Sequence, residues 1–475
     1  MKATVEPVEG TPAMEPKVKL AVVVDEAELE PAIDAAWRDI AKEVRMPGFR
    51  PGKAPRSLLE KQFGPGYARA EALRTAVPEF YSQAVIEHDI DIINVPEFEI
   101  TEGEEDGPVT FEATVDVRPV VSVAGYDGLR VEVPSPEVPD EEIDEQVDRL
   151  RGQYGELTEV GRPAADGDYV TIDIHGTQDG EEVDGLTADD YLYLVGSGMI
   201  ATEFDEHLVG AKAGDILQFS AEHPDPDEDD VEFRLLVKDV KERVLPELTD
   251  EWVAEATEFS TVDELREDTR KRLAESREGQ TRISVRARIG VELAKLIDED
   301  VPEALVSNEM QNRLQNLAYQ LQGRGIGLED YLNITGRDGD SFTAELKEAA
   351  DEAVRVDLAL RAVAVAEGLE ATDDQVEEEI LRLIAGQPVE LDEAREQLRS
   401  GGQLSAIRSD VSNRNALEWL VEHSEVVDPE GNAIAAEYLE LPEEPEGHDH
   451  DHDHDHDHAG HDHADHDHDH ADHDH

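Results

Sequence analysis

The sequence predicts a multidomain α+β protein: an N-terminal α+β domain, a small mostly-β domain, an all-helical C-terminal domain and a disordered His/Asp tail. Three patterns carry this reading. Alternating and helical spacings are mixed over the first 130 residues; short strands punctuated by glycine fill 167–246; and helical periodicity runs almost unbroken over 247–430. A length of 475 residues fits about three domains. Only 39% of the residues are hydrophobic and 5% aromatic, while 33% are charged, which suits a surface-rich, elongated chain better than one compact globule.

In the first domain, Val18, Leu20, Val22 and Val24 alternate within a strand from Lys17 to Val24. Leu29, Ile33, Trp37, Ile40 and Val44 then follow helical spacing, and this helix must end by Pro47. A second helical pattern runs roughly from Tyr67 to His88, and a strand from Val109 to Val117 stops before Pro119. Residues 131–166 read as a proline-rich linker (Pro134, Pro136, Pro139) and a connecting helix, capped by Asp140, with Ile143, Val147, Leu150 and Tyr154 as its stripe. In the β region, strands are predicted around Val170–Ile174, Tyr191–Val195, Ile216–Ser220 and Val231–Val240. In the helical region, Thr261-Val-Asp-Glu264 and Thr372-Asp-Asp-Gln375 have the form of capping boxes, and a long helix is expected from the first of them to Ile297. Pro302 suits the first turn of the next helix, Ser341 or Thr343 the start of another and Gly368 its end. Gly401-Gly402 divides the last two helices.

The formal net charge of -74 argues against broad binding to nucleic acid or to an anionic membrane. No window has the apolar length of a membrane span, and the N-terminus lacks the apolar core of a signal peptide, so a cytoplasmic protein is expected. The absence of cysteine excludes disulfides and thiolate chemistry.

Against this acidity stands one cationic island. From Val44 to Leu59 there is no acidic residue, while Arg45, Arg50, Lys53 and Arg56 all occur there. At its centre lies Gly48-Phe-Arg-Pro-Gly-Lys-Ala-Pro55, a loop stiffened by proline, hinged at Gly48 and Gly52, and carrying Phe49 as an apolar anchor. Such a loop can dock on an anionic partner at small entropic cost, or be a solvated turn.

The tail is the second unusual feature. Residues 431–475 are acidic, and 13 of the 18 histidines fall between His448 and His475. Lacking apolar content, the tail is expected to be disordered. His448, His450, His452, His454, His456 and His458 alternate with aspartate, a spacing from which a flexible chain can gather imidazoles around Zn²⁺ or Ni²⁺. The alternative is a solubilising acidic tail.

Read together, the loop and the domain order resemble trigger factor, the bacterial ribosome-associated chaperone family, over roughly residues 1–430. The loop matches the family signature at Gly48, Phe49, Arg50, Gly52, Lys53 and Pro55, and Asp168–Gly176, Lys212-Ala-Gly214 and Leu245-Pro-Glu-Leu-Thr249 also match. The resemblance implies a ribosome-binding domain at 1–130, an FKBP-like peptidyl-prolyl isomerase domain at 167–246, and a helical chaperone domain at 247–430 that cradles nascent and unfolded polypeptides and keeps them open for folding or export. It further implies docking on the large ribosomal subunit, through an exit-tunnel ribosomal protein and adjacent rRNA, with weak self-association off the ribosome, no membrane and no required cofactor. Contact residues would be Gly48, Phe49, Arg50, Gly52 and Lys53, with Arg45 and Arg56 beside them.

An FKBP-type pocket binds the proline ring and strips water from the amide, which favours the twisted state; it must be apolar and aromatic. Here Ile174 and Val183 stand where the family has aromatics, and Ala201-Thr-Glu-Phe204 replaces Ile-Pro-Gly-Phe, so Phe204 is the surviving member. Any isomerase activity is therefore expected to be weak. A dedicated FKBP-type isomerase and a metal-buffering protein acting through the tail are the competing readings. In the helical domain, Leu314, Leu317 and Leu321 could be core or client surface.

Overall fold

The computed structural model describes residues 1–442 apart from 45, 47, 48, 51, 179–180, 201 and 222–229. The N-terminal domain contains β1 (Lys2–Pro7), β2 (Lys17–Val24), α1 (Glu26–Glu43), α2 (Arg56–Phe63), α3 (Pro65–Glu87), β3 (Glu97–Glu102) and β4 (Val109–Asp116). Its strands form an antiparallel sheet in the order β1-β2-β4-β3, with Leu20 opposite Ala113 and Val22 opposite Phe111. Those four side chains are wholly buried, and Leu29, Trp37 and Ile40 of α1 and Ala68, Leu73 and Ala76 of α3 complete the core. The periods of two and 3.6 thus meet on one apolar face.

The next segment holds β5 (Arg130–Glu132), α4 (Asp140–Gln153) and β6 (Glu156–Glu159). Two expectations change here. Val131 and Val133, read as linker, are 2% exposed within the core of the helical domain, because β5 pairs in parallel with a strand at the far end of the chain. Asp140 does not cap α4: Pro139 holds the cap position and Asp140 is the first helical residue, 3.1 Å from Arg270.

The β domain comprises β7 (Tyr169–Gln178), β8 (Glu181–Leu194), the short helix α5 (Thr202–Leu208), β9 (Ile216–Ala221) and β10 (Val231–Val244). β10 is central: it pairs with β7 on one side, and with β9 and then β6 on the other. β8 is much longer than the predicted Tyr191–Val195, since Glu181, Glu182, Asp184, Asp189 and Asp190 hide its alternation.

The helical domain contains α6 (Asp250–Ala256), α7 (Val262–Ala294), α8 (Glu303–Gly323), α9 (Leu328–Thr335), α10 (Gly339–Glu367), α11 (Asp373–Leu383), α12 (Leu391–Ser400), α13 (Leu404–His423) and β11 (Glu425–Val427), the partner of β5. Val285, Ile289 and Leu293 of α7 pack with Leu358 and Val363 of α10 and Ala416 and Leu420 of α13, all buried. Thr372 makes the reciprocal capping box expected of it. Thr261 caps α7, but the Glu264 carboxylate accepts from Ser260 N–H rather than from the cap residue, so that box is half formed. α10 begins earlier than Ser341: the Asp338 carboxylate accepts from the amides of Asp340 and Ser341. Gly368 ends it in the left-handed region.

Candidate docking loop and client surfaces

α1 ends where Val44 turns extended, and α2 begins immediately after Pro55, so the loop is held between two helix ends. Val44, Met46 and Ala54 pack against the domain core, and Gly52 N–H donates to Ala41 O at 2.7 Å, tying the loop back to α1. Gly52 lies at φ 77°, where a side chain is strained. Further bonds run from Phe49 N–H to Met46 O and from Lys53 N–H to Arg50 O. Phe49 is 40% exposed, and Arg50 and Lys53 are exposed and form no ion pair with any described residue.

Arg56 is different. Its guanidinium lies 2.5 Å from Glu30, 2.5 Å from Asp34 and 2.6 Å from Glu60. These carboxylates, Glu30 foremost, raise its pKa, and they take up the charge that the sequence alone leaves free. Gly48 of the signature and the neighbouring Arg45 lie outside the described residues.

In the β domain, Phe204, Ile174 and Val183 join one apolar cluster; Ala201 lies outside the described residues. Phe204 has no exposure at all. Its ring meets Phe233 at 4.8 Å and Phe219 edge-on at 5.2 Å, and Tyr193 lies 6.2 Å away. Asp205 locks the preceding turn by accepting from the Tyr193 hydroxyl and from the amides of Gly196 and Gly198. Ile174 is 5% exposed and Val183 half-buried. The described residues aligned with the proline pocket, Ile174, Val183 and Phe204, are therefore brought together, but Phe204 is packed as core rather than left open on one face.

The arm made by α8, α9 and the start of α10 has a different character. Between Val306 and Ala350 the one buried hydrophobic residue among those described is Leu321. Leu314 and Leu317 are half-buried, while Tyr319 is 79% and Ile334 75% exposed. Tyr319 and Ile334 escape a sequence reading because each falls within an amphipathic helix that could equally bury it. A polar arm with isolated apolar side chains suits weak, reversible contacts with many extended segments.

Among the described residues no His, Asp and Glu side chains are grouped to hold a metal, and no helix is long and apolar enough to cross a membrane. His448, His450, His452, His454, His456 and His458 lie outside the described residues.

Comparison with known proteins fits this layout. The family model described as bacterial trigger factor protein matches residues 1–150, and the one for its C-terminus matches 261–422. Trigger factor of Parafrankia sp. (strain EAN1pec) is 35% identical over 449 residues, covering 94% of this chain and 87% of that protein. The Frankia alni trigger factor is 37% identical over 447 residues, covering 94% and 89%. That of Halothermothrix orenii is 35% identical over 416 residues, covering 86% and 97%. A solved structure of a trigger factor chaperone, described for promiscuous substrate recognition in folding and assembly, is 22% identical with a TM-score of 0.39, covering 87% of this chain and all of that one. The chain belongs to the trigger factor family of ribosome-associated chaperones.

Proposed function

We propose that this chaperone docks on the large ribosomal subunit through Phe49, Arg50 and Lys53, with Gly48, Gly52 and Arg45 shaping and flanking the contact, against an exit-tunnel ribosomal protein and the rRNA beside it. The observation that carries the reading is the exposed phenyl ring of Phe49 next to Arg50 and Lys53, two exposed cations without an ion pair among the described residues, on a loop tied to α1 by the Gly52–Ala41 bond. Phosphates would take Arg50 and Lys53, and the ring would take an apolar protein surface. Arg56 supports the loop by bridging α1 and α2 and is not assigned a contact. The remaining acidic surface favours one orientation, since rRNA repels it. Replacing Phe49, Arg50 and Lys53 by alanine should abolish co-sedimentation with ribosomes while leaving the melting of the protein unchanged. Undiminished co-sedimentation of that variant rules the assignment out.

Nascent and unfolded chains would be met by the α8–α10 arm. In the β domain, the closure of the Phe204 ring supports prolyl isomerisation that is weak at most. The tail histidines would gather Zn²⁺ or Ni²⁺ in shifting sets of ligands. Zinc titration of the full chain should show several weak sites that vanish in a chain ending at Pro442. Equal stoichiometry in the two would place the sites elsewhere.

A further inference from the structure

The docking domain and the helical domain share little apolar contact. Of the described buried hydrophobic residues before 118, Ile93 alone belongs to the helical core, with half-buried Met14 packed against it, and Asn308 donates to the Ile93 carbonyl. A cleft of about 700 Å³ separates Val85 and Ile86 of α3 from Leu404 and Ser405 of α13. The α12–α13 turn comes close to α3 at one point, where a Cβ on Gly402 would sit 3.6 Å from Ile86. An interface this lean leaves orientation to polar contacts.

Those contacts form a closed ring of alternating charge. Asp91 and Arg118 belong to the docking domain and are joined by backbone as well, Arg118 N–H donating to Asp91 O at 2.9 Å. Asp357 and Arg361 lie one turn apart on α10. Arg118 donates from Nε to Asp91 and from a terminal nitrogen to Asp357, both at 2.8 Å. Arg361 donates from Nε to Asp357 at 3.1 Å and from a terminal nitrogen to Asp91 at 3.2 Å. Asn413 and Ser409 of α13 brace the body half, one donating to Asp357 at 2.8 Å and the other accepting from Arg361 at 3.0 Å. The side chains are 22–45% exposed, so salt can weaken the ring without the core being breached. Three of the four cleft arginines are committed to carboxylates, Arg408 lying 2.7 Å from Asp373, while Arg399 is 68% exposed and 4.0 Å from Glu396. This favours a mechanical role over capture of a free anion.

We infer that Asp91, Arg118, Asp357 and Arg361 form an ionic latch that fixes the docking domain on the chaperone body and, when opened, lets it pivot about the segment around Ile93 and Arg118. The latch sets where the ribosome-facing loop stands relative to the client arm, so its opening changes the geometry of capture without touching either surface.

The absence of cysteine allows clean labelling. Spin labels at Glu79→Cys on α3 and Glu352→Cys on α10, both exposed, report the distance between the two domains in the full chain. Reversing the body half, D357R with R361D, keeps the pair within α10 but sets like charges against Arg118 and Asp91. The main distance peak should broaden, and the ratio of displaced to latched molecules should rise about tenfold, the size of a typical change in such an equilibrium. Adding D91R and R118D reverses the whole ring and should restore the original distribution. Raising salt from about 0.05 to about 0.5 M should broaden the unmodified ring in the same direction. An unchanged distribution after reversal of the body half overturns the latch. So does failure of the fourfold reversal to restore the peak, since that outcome marks damage to folding rather than loss of complementarity.

Discussion

Phe49 keeps 40% of its surface in solvent on the same loop as the exposed Arg50 and Lys53, whereas Phe204 keeps none. A fully buried phenylalanine ringed by Phe219, Phe233 and Tyr193 stabilises its domain through packing, so Phe204→Ala should cost about 3 to 5 kcal/mol in chemical denaturation of the β domain. Prolyl-peptide turnover in the unmodified protein should already be low. Rapid turnover that survives the substitution would contradict this account of the ring. Asp168 offers a second test at this scale. It is buried, accepts from both terminal nitrogens of Arg162 and from Ala165 N–H at 2.8 Å, and Arg162 holds its carboxyl below the usual range despite burial. A carboxyl with a lower pKa folded than unfolded adds stability that is full above the unfolded value of about 3.9 and is lost as pH falls through the folded value. Asp168→Asn should therefore destabilise the protein at neutral pH, by about 1 to 3 kcal/mol for a charge-assisted contact, with the difference closing in acid. A difference independent of pH would show that Asp168 acts through shape alone.

The client surface proposed above, the α8–α10 arm, is an element rather than a single residue. Its apolar side chains lack the partners that α7, α10 and α13 give one another lower in the domain. Tyr319→Ser with Ile334→Ser should leave stability within about 0.5 kcal/mol and reduce suppression of aggregation of an unfolded client several-fold. If suppression is unchanged, clients bind elsewhere. Elements with strong alternation or helical stripes, such as β2, α1, β4 and α10, were legible in the sequence. β8 was legible only at its end, because acidic residues occupy positions that a strand reading expects to be apolar. β5 and β11 were not legible: each has three residues, and they define each other across a sequence separation of 295 residues. The caps show the same limit. Thr372 follows its local rule, while Asp338 overrides two nearer candidates because its carboxylate reaches two free amides.

At the scale of the whole molecule, the domain order was readable from changes in periodicity, and the family relation follows from alignment over nearly the whole chain. What sequence patterns could not show was how charge is spent. Arg56 looks free beside Arg50 and Lys53, yet the fold places it among Glu30, Asp34 and Glu60. Asp91, Arg118, Asp357 and Arg361 look like scattered surface charge until the fold closes them into one ring. In a chain of net charge -74, cations without ion pairs at one loop are, on the docking proposed above, the means of approaching an RNA surface. The most direct test is the salt dependence of affinity for isolated large ribosomal subunits. For the R50A/K53A variant, the slope of log affinity against log salt should be shallower than in the unmodified protein by about 1.5, the loss expected for two phosphate contacts. An identical slope and affinity in the two proteins would contradict docking through this loop.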